Sequence, residues 1–301
     1  MTEFENELEA LYEQHSELPI IKSALDRLED GLSEDLFYHT LAHTKNVILE
    51  ALRFGLYDKL SEKELELLAI AAAYHDIGYL ERAIDNESIG ADAAQEAMAK
   101  SSQYNEDEIE CVSAMILDTR LVQTEKGPRQ IASVPLSKYL LDADLSNLGR
   151  EDFFSRAEML RQELRVDKAV FLRQTRKLLE NHLWLTPAAQ QLREEGQQQN
   201  LKKLTEMMKE IAQPKEDTPE GLGLDELLFL AKLPLLLNSS LETKRVMSIA
   251  LDHLQTVVAA EAATLFLLED SPGELTFWAA RGKNSERLEG QKMPADKGIV
   301  G

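Results

Sequence analysis

The 301-residue chain contains a single cysteine, and this scarcity excludes an internal disulfide bond. Cys111 lies in the apolar stretch from Ile109 to Ile116, which predicts a buried thiol on a helix. A lone unpaired cysteine is typical of proteins in a reducing compartment. We therefore expect the protein to be cytoplasmic.

Basic residues are also scarce, with 33 lysines and arginines against 54 acidic residues and a net charge of −21. Because binding to a phosphate backbone requires clustered basic side chains, we predict no nucleic-acid partner. Long apolar runs are missing too. The most apolar run, 227–237, is interrupted by Lys232 and Pro234 and is far shorter than the roughly 20 residues that span a bilayer. The acidic N-terminus lacks an apolar signal core, so we predict no membrane partner.

Aromatic residues make up only 6% of the chain, and alternating strand patterns are almost absent before residue 260. Instead, apolar residues recur at helical spacing, as in the pairs Leu8 and Leu11 or Leu65 and Leu68. The pattern predicts an all-helical domain over residues 1–211. The polar segment 190–208 is predicted to close this domain as a largely exposed helix.

Residues 212–223 contain two prolines and two glycines among acidic residues, which predicts a linker. Beyond it the pattern predicts two helices, 224–237 and 243–258, and then two strands, 263–268 and 274–280, joined as a hairpin. An isolated hairpin is only marginally stable in water. We therefore expect 224–301 to be the first part of an α+β domain that is truncated at its end.

Histidine and aspartate side chains stand out in three separate segments of the chain. His39 and His43 are four residues apart, so on a helix they share one face. His75 and Asp76 follow an apolar helical run, and Gly78 is predicted to stop that helix. An unpaired aspartate buried at this point would be very costly. The adjacent pair therefore indicates a metal centre.

The third segment carries Asp142 and Asp144. These residues are two apart, so only one can face an ion, and Asp142 is alternatively a cap for a helix that starts there. Two imidazoles and two carboxylates suit one or two divalent ions, with manganese, magnesium, iron, nickel and zinc all acceptable. Such a set leaves coordination positions open for water and substrate. The remaining histidines lie outside these three segments and are predicted to be packing or surface residues; they are His15, His182 and His253.

The order His43, His75-Asp76 and Asp144 resembles the HD superfamily of metal-dependent phosphohydrolases. The resemblance implies that these four residues hold the metal and that Asp76 bridges two ions when two are bound. It implies hydrolysis of a phosphate ester or phosphodiester, with a small phosphorylated molecule, such as a nucleotide, as the substrate.

A narrower resemblance is to the class I cyclic-nucleotide phosphodiesterases. It rests on Tyr38-His39 before His43 and on the run Asp144-Leu145-Ser146. It implies that His39 donates a proton to the leaving alkoxide, and a packing role is the alternative. The chain lacks the histidine that would stand four residues after the His-Asp pair.

A better match over about residues 25–205 is a bacterial group of HD phosphohydrolases of unassigned substrate. Its marks here include the acidic segment 85–88 and the segment 160–163. The likeness places Glu87 near the metals as a residue that orients water, although an acid favoured by a helix start is nearly as good an interpretation. Arg120 stands where such proteins often have a histidine and is predicted to bind a substrate phosphate.

Residues 224–301 resemble the first half of a GAF domain, which is a ligand-sensing and dimerising module. The likeness lies in 236–241, 260–267, 280–282 and 298–301. It implies regulation of the enzyme and a homodimer formed through the apolar helix 224–237. The fold class expected is mainly α, with a helical HD domain before a partial α+β GAF-like domain. The alternative function is a non-catalytic HD/GAF signalling and dimerisation module.

Overall fold

The computed structural model describes residues 2–124, 127–211, 263–268, 274–281 and 291–294. The chain divides into two compact units, Met1–Glu216 and Asp217–Gly301. Each unit is described by itself.

The first unit is mainly helical, as its apolar spacing predicts. Its described residues form ten α-helices: α1 (Glu3–Ser16), α2 (Pro19–Gly31), α3 (Leu41–Tyr57), α4 (Glu62–Tyr74), α5 (Asn86–Ser101), α6 (Glu106–Asp118), α7 (Ser137–Asp144), α8 (Phe153–Leu164), α9 (Lys168–Asn181) and α10 (Pro187–Ile211). Two 3₁₀ turns, Ile77–Leu80 and Ser146–Gly149, follow α4 and α7. Among the helices that the structure describes, none combines the length and the apolar character needed to cross a membrane.

Helix α4 lies at the centre of the first unit because its second half, residues 67–74, is apolar on every side. All residues from Leu67 to Tyr74 are buried, and the helix packs against α2, α3, α6 and α7. A helix that is apolar all round belongs in an interior. Its start is held by a reciprocal cap, in which Ser61 and Glu64 each accept a backbone N–H of the other. The residues that follow α4 therefore begin inside the protein.

The chain leaves α4 through the first 3₁₀ turn, which lies against the start of α5. The prediction that Gly78 stops α4 is wrong, because the helix ends at Tyr74 and His75 caps it in a right-handed conformation. Gly78 is needed for close approach instead. A Cβ at this position would lie 2.2 Å from the backbone oxygen of Asn86 and 2.5 Å from its Cα. A side chain here would push α5 away from the turn.

Helix α10 is anchored by α7 at its first turn. Asp142 in α7 is fully buried, and its carboxylate accepts the backbone N–H groups of Leu185 at 3.0 Å and Thr186 at 2.8 Å. It also accepts the Thr186 hydroxyl at 2.7 Å. Burial raises the pKa of Asp142 to about 6 although these hydrogen bonds oppose the rise, so the group is ionised at neutral pH. The alternative that Asp142 caps a helix starting at this residue is wrong, because Asp142 lies inside α7 and its carboxylate binds the two residues that precede α10.

Helix α10 is less exposed than the polar sequence predicts. It packs against the 3₁₀ turn that follows α7, and the two backbones touch at Gly149 and Gly196, where an added Cβ on Gly196 would lie 2.0 Å from the Gly149 oxygen. The buried amide of Asn200 donates to the carbonyls of Leu148 at 3.0 Å and Arg150 at 2.8 Å. The amides of Gln197 and Asn200 therefore satisfy buried carbonyls, whereas most other polar side chains of this helix face water.

Two short strands interrupt the helices of the first unit, where the sequence predicts none. Strands β1 (Val122–Thr124) and β2 (Gly127–Arg129) pair in antiparallel fashion between α6 and α7. The described residues are otherwise helical or irregular up to Ile211. The expectation of a mainly α fold is confirmed with this one small addition.

The second unit contains a three-stranded antiparallel sheet among its described residues. Strands β3 (Ala263–Leu268), β4 (Glu274–Arg281) and β5 (Lys292–Pro294) pair in that order. The predicted hairpin is confirmed, and β5 is an addition to it. The predicted linker at 212–223, the helices at 224–237 and 243–258, and His253 lie outside the described residues. The GAF-like identity of this unit stays a prediction.

The isolated histidines and the cysteine of the first unit have packing roles. His15 is buried at the end of α1, with its Nδ1 2.8 Å from the carbonyl of Leu11. His182 is half-buried and meets the ring of Trp184 edge-on. Cys111 is half-buried on α6, so it is less enclosed than predicted.

We predict that Asp142→Ala lowers the free energy of unfolding of the helical unit by about 2–4 kcal/mol, because two buried backbone N–H groups and a hydroxyl lose a charged acceptor. Urea unfolding followed by circular dichroism at 222 nm measures this loss. Asp92→Ala is the control, since it removes an exposed helical carboxylate. Equal stability of the two variants would show that Asp142 does not hold α10.

Candidate metal centre

His43 is placed by the first turn of α3. The hydroxyl of Thr40 caps this helix by accepting the backbone N–H of His43 at 3.4 Å. The His43 side chain points inward and is only 3% exposed. The ring lies 4.8 Å from the ring of Tyr38 and 5.4 Å from that of His75, measured between centroids.

His75 and Asp76 are placed by the buried end of α4. The Nδ1 atom of His75 lies 2.8 Å from the carbonyl of Ala72, so it carries the proton of the neutral ring and donates to that oxygen. This contact leaves Nε2 as the atom with a lone pair, directed toward Asp76 and Asp144. A backbone partner of this kind commonly fixes the tautomer of a metal-binding histidine.

Asp144, the last residue of α7, completes a group of four. The Nε2 atom of His43 lies 3.4 Å from Asp76 Oδ2 and 3.3 Å from Asp144 Oδ1. The Nε2 atom of His75 lies 3.1 Å and 3.7 Å from the same two oxygens. Ligand atoms of His43, His75 and Asp144 all fall within 4.8 Å of one another. The structure thus brings together the four residues that are predicted from the sequence to be metal ligands.

Three atoms of this group are buried without a hydrogen-bond partner among the described residues: His43 Nε2, His75 Nε2 and Asp76 Oδ2. They lie within ion-pair distance of one another, but the geometry does not make hydrogen bonds. Buried polar atoms nearly always have a hydrogen-bond partner, so three atoms without one at the same point require an explanation. A cation among them would satisfy all three, and the set of two imidazoles and two carboxylates fits a divalent metal ion.

The electrostatics of the group also favour a cation. Burial dominates at His43 and lowers its pKa, whereas at His75 the charges of Asp76 and Asp144 outweigh burial and raise the pKa to about 9. Burial raises the pKa of each carboxyl, but the neighbouring histidines outweigh it and hold both pKa values below their ordinary range. Even with one imidazole protonated, the two carboxylates would leave a net negative charge that a cation offsets.

His39 lies beside the four but is held by a different partner. Its Nδ1 makes a short contact with Glu163 Oε1, and Glu163 Oε2 accepts the backbone N–H groups of Tyr38 at 2.8 Å and His39 at 3.1 Å. The Nε2 atom lies 3.2 Å from the hydroxyl of Tyr79. Burial lowers the pKa of His39, but the hydrogen bond to Glu163 and the charge of Asp76 outweigh it, so the pKa is raised.

The sequence gives no specific role to Glu163 or Gln130, and both contact the site. Glu163 falls in the segment 160–163 that carries part of the family resemblance, but nothing local distinguishes it from the other acids of α8. Gln130 Nε2 donates to Asp144 Oδ2 at 2.9 Å and to the carbonyl of Thr119 at 2.8 Å. This bond occupies one oxygen of Asp144 and leaves Oδ1 facing the histidines.

Glu87 and Arg120 form a separate ion pair. Arg120 Nε lies 3.6 Å from Glu87 Oε2, and its Nη2 lies 3.7 Å from Asp85 and donates to Ser88 at 2.8 Å. Among the described contacts, neither side chain touches the four residues of the candidate metal centre. The catalytic role of Glu87 and the substrate-binding role of Arg120 stay predictions.

Comparisons with known proteins add little to this geometry. No protein-family model matches the chain, and no curated protein matches it. A solved structure with some likeness is a "predicted HD superfamily hydrolase" from an uncultured Thermotogales bacterium, with 18% identity and a TM-score of 0.47. The match covers 66% of this chain and 97% of that one.

We predict that His75→Ala weakens divalent metal binding by more than about 100-fold, because loss of a direct ligand exceeds the effect of losing a supporting contact. The wild type and variant are reconstituted with Mn²⁺, and bound metal is measured by elemental analysis after desalting. His182→Ala is the control, since it removes a half-buried histidine remote from the site. Full metal content in a folded His75→Ala protein would rule out this centre.

Proposed function

We propose that the first unit is a divalent-metal-dependent phosphohydrolase that cleaves a phosphate ester or phosphodiester, with a nucleotide-type substrate. The observation that carries the proposal is the convergence of unpaired, buried atoms of His43, His75 and Asp76 from two helices, beside Asp144 from a third. A structural role alone does not require so costly a cluster.

The donor set favours a catalytic over a purely structural metal. Structural zinc sites commonly have four closed ligands rich in cysteine, whereas sites with histidine and carboxylate ligands keep positions open. When bound, a divalent ion supplies Lewis acidity that activates water and offsets negative charge on a phosphate. His43, His75, Asp76 and Asp144 would hold one or two such ions. Manganese, magnesium, iron, nickel and zinc all suit these ligands.

His39 is the proposed proton donor to the leaving oxygen. Glu163 holds Nδ1 and two adjacent backbone N–H groups, so the ring is fixed at one end. Nε2 is then the atom that can donate to a substrate. In the structure this atom meets the Tyr79 hydroxyl at 3.2 Å, so the leaving oxygen replaces that hydroxyl or receives the proton through it.

The second unit is proposed to regulate the first. The support is the GAF-like resemblance of 224–301 and the antiparallel strands β3 to β5 among the described residues. A homodimer through the helix at 224–237 belongs to the same proposal.

Hydrolysis of chromogenic phosphates tests the proposed function. The full chain loaded with Mn²⁺ is expected to hydrolyse p-nitrophenyl phosphate or bis(p-nitrophenyl) phosphate, and Asp144→Asn is expected to lose this activity by at least about 100-fold because a metal ligand is lost. Asp142→Asn is the matched control, since it changes a carboxylate on the same helix that holds α10 instead. Stoichiometric metal without turnover on either substrate, or on nucleotide monophosphates, would favour the non-catalytic module.

Glu163→Gln tests the proposed role of His39. We expect kcat to fall about 10- to 100-fold, since a general acid contributes roughly 10²–10⁴ and the variant retains a weaker hydrogen bond to the ring. Metal content is expected to stay unchanged, which separates this effect from loss of the metal. The control is Glu158→Gln, an acid on the same helix that pairs with Arg161. Unchanged kcat with altered KM would contradict a positioning role for Glu163.

A further inference from the structure

A narrow cavity opens beside the candidate metal centre, on the side of α3 and the chain that follows α7. Two of the four metal-site residues, His43 and Asp144, form part of its wall. The rest of the wall includes Tyr38, Asn147, Arg150 and Arg156. A ligand that reaches from the metal centre into this cavity would meet the two arginines.

The two arginines share one counter-charge. Arg150 binds Asp152 through Nε at 3.0 Å and Nη2 at 2.9 Å, and Arg156 binds it through Nε at 2.7 Å. Asp144 in the cavity wall supplies a second carboxylate, so the charges of the two arginines are balanced around the cavity as a whole. The side chains of Arg150 and Arg156 are 22% and 16% exposed, so both cations are mostly withdrawn from water. A partly buried cation whose donors are not all paired is costly unless an acceptor joins it.

The hydrogen bonds of the wall residues also leave donors available. Arg150 is fully engaged, because its Nη1 donates to Asn46 at 3.0 Å. Arg156 donates only from Nε among the described contacts, so both of its terminal nitrogens lack a protein acceptor there. The guanidinium fork suits a phosphate because two N–H groups match two oxygens.

Asn147 gives an independent sign that the cavity takes a ligand. Its Oδ1 is buried and has no hydrogen-bond partner, and its side chain makes no hydrogen bond among the described residues. The oxygen and nitrogen of such an amide exchange places by a rotation, so the group can present either a donor or an acceptor. An unmatched amide beside two guanidinium groups is explained by a polar ligand that completes the set.

We propose that Arg156 and Asn147, with Arg150 behind them, form an anion subsite that selects substrates carrying a phosphomonoester dianion. The inference rests on the proposed hydrolase function and narrows its substrate class from esters and diesters to monoesters. A diester has one charge on the phosphate, whereas a monoester keeps a second charged oxygen that the terminal nitrogens of Arg156 can bind. The subsite is distinct from Arg120, which is 42% exposed and lies near two acids, Asp85 and Glu87.

Binding of inorganic phosphate tests the subsite without requiring turnover. The full chain with its bound metal, freed of excess metal, is titrated with sodium phosphate by calorimetry at constant ionic strength. Arg156→Gln is expected to weaken phosphate binding about tenfold, the scale of one charge-assisted bidentate contact. Arg156→Lys keeps the charge but loses the bidentate fork, so its affinity is expected to lie between those of the wild type and Arg156→Gln. Asn147→Leu breaks no ion pair and is expected to weaken binding as well.

Arg161→Gln is the matched control, because Arg161 lies on the same helix as Arg156, is similarly buried and pairs with Glu158. Wild-type affinity in folded Arg156→Gln and Asn147→Leu proteins would overturn the subsite. Absence of phosphate binding by the wild type, or an equal loss in Arg161→Gln, would overturn it too. Turnover gives a second readout: Arg156→Gln is expected to lower kcat/KM for p-nitrophenyl phosphate about tenfold more than for bis(p-nitrophenyl) phosphate. If neither ester is hydrolysed, the proposed function fails while the phosphate titration still decides the subsite.

Discussion

The first unit depends on one constraint, which is that a helix with a wholly apolar second half places an ionisable pair in the protein interior. Helix α4 is buried from Leu67 to Tyr74, so His75 and Asp76 cannot reach bulk water without withdrawing the helix. Burying this pair costs free energy unless other polar side chains contact it, and α3 and α7 supply His43 and Asp144. Three atoms of the four groups have no hydrogen-bond partner among the described residues, and a cation would satisfy them.

The parts of this arrangement that sequence reasoning found are those with a local signature. An apolar run followed by His75-Asp76 predicts a polar pair at a buried helix end, and the four-residue spacing of His39 and His43 predicts that both lie on one helical face. The prediction for His39 is wrong, because α3 begins at Leu41 and His39 lies before it. The hairpin of β3 and β4 was equally readable, because alternation and a turn lie next to each other in the chain.

The parts that sequence reasoning missed are contacts between distant segments. Glu163 binds the backbone of Tyr38 across 125 residues, and its own helix offers no sign that separates it from neighbouring acids. Gln130 follows a short hairpin that shows no strand pattern. Asn200 lies on a polar helix, where an exposed side chain is expected, yet its amide donates hydrogen bonds to buried carbonyls. Such roles depend on which surfaces pack together, and the composition of a segment does not reveal its packing partners.

Helix α7 places two carboxylates two positions apart, one toward His43 and the other toward the start of α10. Successive residues of a helix are turned by about 100° from each other. Inserting or deleting one residue between Ser137 and Asp142 would turn both acids away from their partners at once. We expect natural variants of this protein to tolerate length changes in surface loops but not in this eight-residue segment.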